Sequence, residues 1–320
     1  MPNDAGSNTR PIALVTGGNT GIGFETCKGL LDSGFHLVVC ARSQDKAEQA
    51  AAALLESGPV GGSAEPLALD LASLASVREA ANDFLATERP LSVCVLNAGV
   101  MALPWSRTSD GFEQQWQVNV LGHFLFCRML LPSLEAAEYP TGRVVWVASG
   151  AHRLHPEGID YDVLAREHES PDGYDQWRAY GRSKLANILL SDELSRRLRA
   201  GGSRVTSNAL HPGNVNTGLW SKAGRDNDTG ISPEAGAQTS IFLATSEEVN
   251  GQSGGYYFAS RPVVTVYDGG MHANADYAAK SAMRSQVSLS AREARTMWAV
   301  VSGNVGLREE IQVEPKQAQK

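Results

Sequence analysis

The chain has 320 residues, 42% of them hydrophobic and 20% charged, with a formal net charge of −7 and a pI near 5.6. That is enough apolar residue for one substantial core, and the acidic balance argues against nucleic-acid or anionic-membrane partners, which attract basic proteins. No apolar run approaches the roughly 18 residues that cross a bilayer, and the opening MPNDAGSNTR carries Asp4 where a leader or anchor needs an apolar centre, so a cytoplasmic protein with no membrane anchor is expected.

After a flexible N-terminus over residues 1–10, IALV at 12–15 reads as a buried strand, followed by TGGNTGIG from Thr16 to Gly23 and a segment with helical apolar spacing. Strand, glycine turn and helix in that order form a phosphate cradle. Gly17, Gly21 and Gly23 let the backbone approach a pyrophosphate, and the free N–H groups of the helix start attract its charge. The alternative is an ordinary turn. The next strand, FHLVVC at 35–40, runs into Ala41, Arg42 and Ser43, where a dinucleotide site usually places an acid for the adenosine ribose diol. No carboxylate stands there. Arg42 offers a cationic fork for a 2′-phosphate, which predicts NADP(H) over NAD(H); the alternative is a solvated surface arginine.

An Ala-rich helix over 44–57 precedes the turn GPVGGSAEP, a strand at 66–69, a helix from Ser73 to Glu88 and a strand at 92–97. A helix from Asp110 to Leu131, the strand RVVWVAS ending on Ser149, a helix reaching Arg199, a strand at 204–210 and a last strand YYF at 256–258 complete the alternation. Right-handed crossovers then give an α/β fold with a doubly wound, mostly parallel sheet of about seven strands. Ligands bind at the carboxyl ends of such strands. Asn97, Ser149 and the residues after Leu210 fall at that edge.

Tyr180 and Lys184 stand at i and i+4 in AYGRSKLANILLSDEL, so a phenol and an ammonium share one helix face. The ammonium favours the phenolate and draws the Tyr180 pKa towards neutrality, while Ser149 can bond the oxygen whose carbon gains or loses a hydride. A tyrosine on such a face is otherwise a core or rim residue.

TGGNTGIG, Asp70 in LALDLAS, NAG at 97–99, Asn119 in QVNVLGHF, Ser149, the Tyr180/Lys184 pair and HPGNVNT at 211–217 together resemble the classical short-chain dehydrogenase/reductases. VVCARS, ALHPGNVNTGLW and NGQSGGYYFA are most similar to the branch of retinol dehydrogenases and protochlorophyllide reductase. The resemblance covers residues 10–260 and implies a single-domain Rossmann fold over 11–270, with a C-terminal helical extension and polar tail over 271–320. It implies a catalytic tetrad of Asn119, Ser149, Tyr180 and Lys184, with Tyr180 exchanging the proton and Lys184 also holding the nicotinamide ribose. Asn119 would position a water that links the site to solvent. Thr16, Gly17, Asn19, Gly21, Ile22 and Gly23 would cradle the phosphates. Arg42 and Ser43 would meet the adenosine ribose, Asp70 the adenine, and Asn97, Ala98 and Gly99 the adenosine side. Pro212, Gly213, Val215 and Thr217 would border the nicotinamide. Asp70 can alternatively cap the helix near Ser73, and Asn119 can alternatively satisfy a buried backbone group.

Two segments are expected to set the substrate. Residues 150–178 include Leu154, Ile159, Tyr161, Leu164, Tyr174 and Trp177, and residues 216–235 combine Leu219 and Trp220 with a polar stretch suited to a closing lid. Their apolar side chains point to a lipophilic carbonyl or alcohol; packing on the core or on a partner chain is the alternative. SRPVVTVYDGGMHANADYAA at 260–279 reads as irregular, and residues 288–301 as an amphipathic helix that shields the pocket or fills an interface. The resemblance leaves homodimer and monomer open. Cys27, Cys40, Cys94 and Cys127 read as small core residues, and His123, His152, His155 and His211 are scattered, so no metal is assigned. Three functions are consistent with the sequence: an NADP(H)-dependent carbonyl reductase or alcohol dehydrogenase on a small molecule, an NADPH-dependent carbon–carbon double-bond reductase, and a non-catalytic NADP-binding regulator.

Overall fold

Strands buried on both faces must be apolar along their whole length rather than alternating, and IALVT, HLVVCA, VCVL and RVVWV have that composition. In the computed structural model, which describes residues 10–138, 141–225, 227–263, 265–267 and 283–308, these runs are the centre of a sheet. In chain order the elements are β1 (Ile12–Thr16), α1 (Gly21–Asp32), β2 (His36–Ala41), α2 (Gln44–Ser57), β3 (Ser63–Ala68), α3 (Leu74–Leu85) and β4 (Val93–Leu96). There follow α4 (Gln114–Trp116), a π-helical turn (Gln117–Leu121), α5 (Gly122–Ala136), β5 (Arg143–Val147), a 3-10 turn (Gly150–Leu154), α6 (Tyr161–Glu167) and α7 (Gln176–Ala200). The chain continues through β6 (Thr206–His211), α8 (Gly218–Lys222), α9 (Pro233–Thr245), β7 (Tyr256–Phe258), β8 (Arg261–Pro262), β9 (Thr265–Tyr267), β10 (Met283–Ser285) and a C-terminal helix (Ala291–Asn304).

The strand order is β3-β2-β1-β4-β5-β6-β7-β8, parallel up to β7, with β8 antiparallel at the edge. The sheet therefore has eight strands, one more than YYF as last strand implies. The order reverses between β1 and β4, and this switch point opens the crevice in which the carboxyl ends of β1, β4 and β5 meet. Successive residues of each strand enter opposite layers: Leu14, Val38, Cys94 and Trp146 pack against α3, α5 and α7, while Val15, Val39, Val95 and Val147 pack against α1, α2 and α9. All four cysteines are buried in these layers and free. Among the described residues no helix is long and apolar enough to cross a membrane.

Several boundaries differ from the sequence reading. β3 starts at Ser63 and carries Pro66, which the edge position tolerates because one side of its backbone needs no partner. The helix expected from Asp110 starts at Gln114, where Glu113 accepts the N–H groups of Gln115 and Trp116, and it runs through Pro132 to Ala136. Within 260–279, Arg261–Pro262 and Thr265–Tyr267 are short strands; residues 268–279, like 1–9 and the tail 309–320, lie outside the described residues.

The C-terminal helix joins the α5/α7 layer. Ala294, Met297, Trp298 and Val301 enter the same core cluster. Trp298 meets Phe124 edge-on at 4.9 Å, and the guanidinium groups of Arg128 and Arg197 lie 4.9 and 4.8 Å from its ring centre. Trp298→Ala is therefore expected to lower the unfolding free energy by about 3–5 kcal/mol, measured by chemical denaturation of the full chain.

Candidate active site

The glycine turn is built by close approach. Gly17 has φ +66 and Gly21 φ +56, a region costly for residues with a Cβ, and a Cβ on Gly23 would collide with the Gly17 carbonyl. The helix behind it begins at Thr20 without a side-chain cap and has no acid in its first turn, so its N–H groups and dipole face an anion unopposed. These observations fit a dinucleotide phosphate held by Gly17, Asn19, Gly21, Ile22 and Gly23. Thr16 does something else with its side chain. Its fully buried hydroxyl accepts the N–H groups of Asn97 and Ala98 at 2.9 and 3.0 Å, and its carbonyl accepts from Asn97 Nδ2 at 2.9 Å. Thr16 Oγ1 also lies 2.9 Å from His123 Nε2, whose Nδ1 lies 3.2 Å from the Asn119 carbonyl. Burial pulls the His123 pKa down to about 3, so the neutral ring accepts from Thr16 and donates to Asn119. One hydroxyl thus ties the glycine turn, the end of β4 and the start of α5 together.

At that start the π-helical turn holds Asn119, whose Oδ1 accepts from Val100 N–H at 2.9 Å and whose Nδ2 donates to Val100 O and Ser183 Oγ, each at 2.9 Å. The amide satisfies buried backbone and fixes the NAG segment against α7. A Cβ on Gly99 would sit 3.3 Å from Asn119 Oδ1 and 3.5 Å from Lys184 Nζ, so the segment passes between the two. Lys184 Nζ donates to the carbonyl of Val147 at 3.0 Å and lies 5.7 Å from the Tyr180 ring centre. Burial pulls its pKa down to about 8. Ser149 follows β5 by two residues and accepts from Ala151 N–H at 3.2 Å. The 3-10 turn behind it packs on α7 at Gly181, where a Cβ would lie 2.7 Å from Ala151 O. Asn119, Ser149, Tyr180 and Lys184 therefore converge at one edge, and Gly181, a residue the sequence reading passed over, provides the closeness. A glycine inside a 25-residue helix is the signal that marks it.

The remaining site residues lie along the same crevice. Arg42 is exposed at the end of β2, and Ser43 begins α2 with no side-chain cap bond. Asp70 Oδ1 accepts from Ala72 N–H at 3.0 Å, while Ser73 caps α3 by accepting from Ser76 N–H at 3.3 Å, so Asp70 is not that helix's cap. Val215 packs against Ile22 across Gly236, and Thr217 stands beside Gly21 and caps α8; the segment from Pro212 thus lies against the first glycine turn. His211 stacks on Phe258 at 5.4 Å and accepts from Gly213 N–H at 3.4 Å, and burial pulls its pKa to about 3.

An apolar group surrounds the phenol. Met101, Ala102 and Tyr180 form a separate buried cluster, covered by Ala151, Trp177, Leu219, Trp220 and Ala223. Trp177 comes from α7 and Trp220 from α8, and their ring centres lie 6.0 Å apart. Met101 and Ala102, just beyond the NAG segment, were not singled out from the sequence; nothing local distinguishes them from core residues.

A family profile described as short chain dehydrogenase matches residues 11–160. Human retinol dehydrogenase 14 is 39% identical over 282 residues, covering 79% of this chain and 80% of that protein. Human polyprenol dehydrogenase is 35% identical over 267 residues, covering 80% and 79%. The crystal structure of an uncharacterized protein from Mycobacterium paratuberculosis is similar with a TM-score of 0.72 at 31% identity, covering 97% of this chain and 98% of that one. The chain belongs to the short-chain dehydrogenase/reductase family, in its retinol-dehydrogenase-like branch. It is an oxidoreductase of a family that binds nicotinamide cofactors and acts on small molecules.

Lys184 is charged below about pH 8 and loses its proton above it. A rate that needs the ammonium falls as the pH rises through that value, so kcat/KM is expected to show an alkaline limb there. Lys184→Met should lower kcat/KM by about 10²–10⁴-fold and remove the limb from that range, as read from pH–rate profiles.

Proposed function

We propose that the protein is an NADP(H)-dependent oxidoreductase that interconverts a carbonyl and an alcohol on a lipophilic small molecule. The observation that carries this reading is the position of Tyr180, walled by Met101, Ala102, Trp177, Leu219 and Trp220 and one helical turn from the buried Lys184. A nicotinamide cofactor, its phosphates held by the glycine turn and its ring bordered by the segment from Pro212 to Thr217, would supply a hydride in reduction and accept one in oxidation. The protein's own groups manage the oxygen. In reduction, Ser149 Oγ donates a hydrogen bond to the carbonyl oxygen, and Tyr180 Oη gives its proton to that oxygen as the carbon takes the hydride. The phenolate left behind is stabilised by the Lys184 ammonium; in oxidation the same groups run in reverse. With Tyr180 and Lys184 both buried, the interaction between phenolate and ammonium acts at low dielectric and strengthens.

Arg42 and the uncapped start of α2 at Ser43, with no carboxylate between β2 and Gln44, support a 2′-phosphate at the adenosine ribose. Asp45 in the first turn of α2 is the nearest acid in sequence. Two relatives bear the names of retinol and polyprenol, long apolar alcohols, which supports the lipophilic reading of the pocket wall.

Tyr180→Phe is expected to lose about 10²–10⁴-fold in kcat while binding NADPH as the wild type does. The assay follows NADPH oxidation across aromatic, terpenoid, steroid, long-chain and small polar carbonyls, with product analysis. No gain in kcat/KM for the apolar members overturns the substrate class. Saturation of an alkene instead of the carbonyl points to double-bond reduction, and cofactor binding without turnover points to a regulator. Arg42→Asp should reduce the NADPH-over-NADH preference by at least about 10-fold, the loss of one charge-assisted contact; an unchanged ratio of kcat/KM values removes the assignment.

A further inference from the structure

Ser149 is held from behind by a histidine that plays no part in the mechanism above. Its carbonyl oxygen lies 2.7 Å from His152 Nδ1, and Nε2 of the same ring lies 3.2 Å from the backbone N–H of Ser285. The two partners fix the tautomer. A carbonyl only accepts, so Nδ1 carries the proton; an amide N–H only donates, so Nε2 is bare. Burial, aided by Arg153 and Arg284, pulls the His152 pKa down to about 3, which keeps the ring in this neutral form around neutral pH. The ring of Tyr256, edge-on at 5.3 Å, sets its plane.

Ser285 lies 133 residues beyond His152 in sequence, in a segment that is also bonded to α7 and to the loop between Ser149 and Tyr180. Arg153, in the turn after Ser149, donates to Met283 O at 3.4 Å. Arg284 pairs with Asp192, about two turns along α7 from Lys184, and donates to Ser288 Oγ and O at 3.0 and 2.6 Å. Glu293 accepts from Ile159 N–H at 3.4 Å and Tyr161 Oη–H at 3.3 Å, so it holds the insertion between Ser149 and Tyr180. Residues 283–293 thus touch the Ser149 turn, the Tyr180 helix and the loop that joins them.

We propose that His152 is a positioning residue: it registers the Ser149 main chain, and with it the direction of the Ser149 hydroxyl, against a template supplied by residues 283–293. The proposal rests on the reading of Ser149 as the group that bonds the reacting oxygen. The glycine turn is tied instead through Thr16, Asn97 and His123, so the His152 bonds bear on the chemical step and not on cofactor binding. A displacement of about 1 Å at a reacting group costs on the order of 100-fold in rate.

Three variants of the full chain test this. His152→Leu removes both bonds and should lower kcat by about 100-fold, leave the KM for NADPH at its wild-type value, and raise the deuterium isotope effect on kcat with nicotinamide-deuterated cofactor. His152→Asn keeps a donor at the place of Nδ1 and should recover most of the rate. Arg284→Met loosens the template at its tie to Asp192 of α7 while both His152 ring bonds keep their partners; it should lower kcat in the same manner to a smaller extent, and it serves if the leucine variant does not fold. A purely structural role would reduce the active fraction and leave the isotope effect unchanged, and that outcome overturns the proposal. Wild-type kcat in the leucine and methionine variants overturns it as well, with the functional reading intact. A wild-type protein that converts neither carbonyls nor alcohols overturns the functional reading and this inference with it.

Discussion

An ammonium group sits almost fully buried at the carboxyl edge of the sheet, and the site is arranged around holding it there. Taking such an ion out of water costs several kcal/mol unless polar partners replace the lost hydration, and the depressed pKa of Lys184 records that cost. Its donor reaches the Val147 carbonyl, a group that the end of β5 leaves outside the ladder. Gly99 and Gly181 lack the side chains that would push the NAG segment and the Ser149 turn away from α7. The same burial makes the cation effective: at low dielectric a positive charge acts on a neighbouring phenol far more strongly than it does in water. Burial of this charge costs stability, and the 25-residue helix that carries it, buried along most of its length, offsets that cost.

The polar groups around this cation form two independent braces. Thr16, Asn97 and His123 link the glycine turn, β4 and α5, while His152 and Arg284 link the Ser149 turn and α7 to residues 283–293. In both, a buried neutral histidine uses each ring nitrogen once, one as donor and one as acceptor. Burial holds both rings uncharged, which makes them fixed connectors whose bonding does not change across the pH range in which Lys184 titrates. The glycine turn and the Ser149 turn are thereby positioned by separate parts of the chain.

What the sequence made legible is whatever repeats locally. Apolar runs separated by helical spacing located the central strands, because parallel strands covered on both faces have no polar alternation to confuse the pattern. The glycine turn and the Tyr180/Lys184 spacing were legible for the same reason, each lying within one element and its immediate flank. β8 was missed because a two-residue edge strand has no pattern. The π-helical turn at Gln117–Leu121 was missed because it lies inside the continuous helix expected from Asp110 to Leu131, and one extra residue in a turn leaves no mark on apolar spacing. The histidines looked scattered because their partners are remote: Ser285 lies 133 residues from His152, and Thr16 lies 107 from His123. Long-range bonds of this kind leave no trace in spacing.

The substrate wall combines both situations. Trp177 and Trp220 were legible as aromatic residues in variable segments, but their meeting over Tyr180 is tertiary. The loop that bears Trp220 is closed at its base by reciprocal bonds between the amides of Asn214 and Asn227, at 3.0 and 3.1 Å, and by the bridge between Val215 and Ile231. Between these fixed ends α8 has no buried residue, and Leu219, Trp220 and Ala223 contact the wall of the site instead of either core layer. An element with so little core contact belongs to the low end of local stability. Its apolar contacts are with Met101, Ala102 and Tyr180, so a movement of α8 would uncover the phenol and leave the two core layers of the sheet packed as they are.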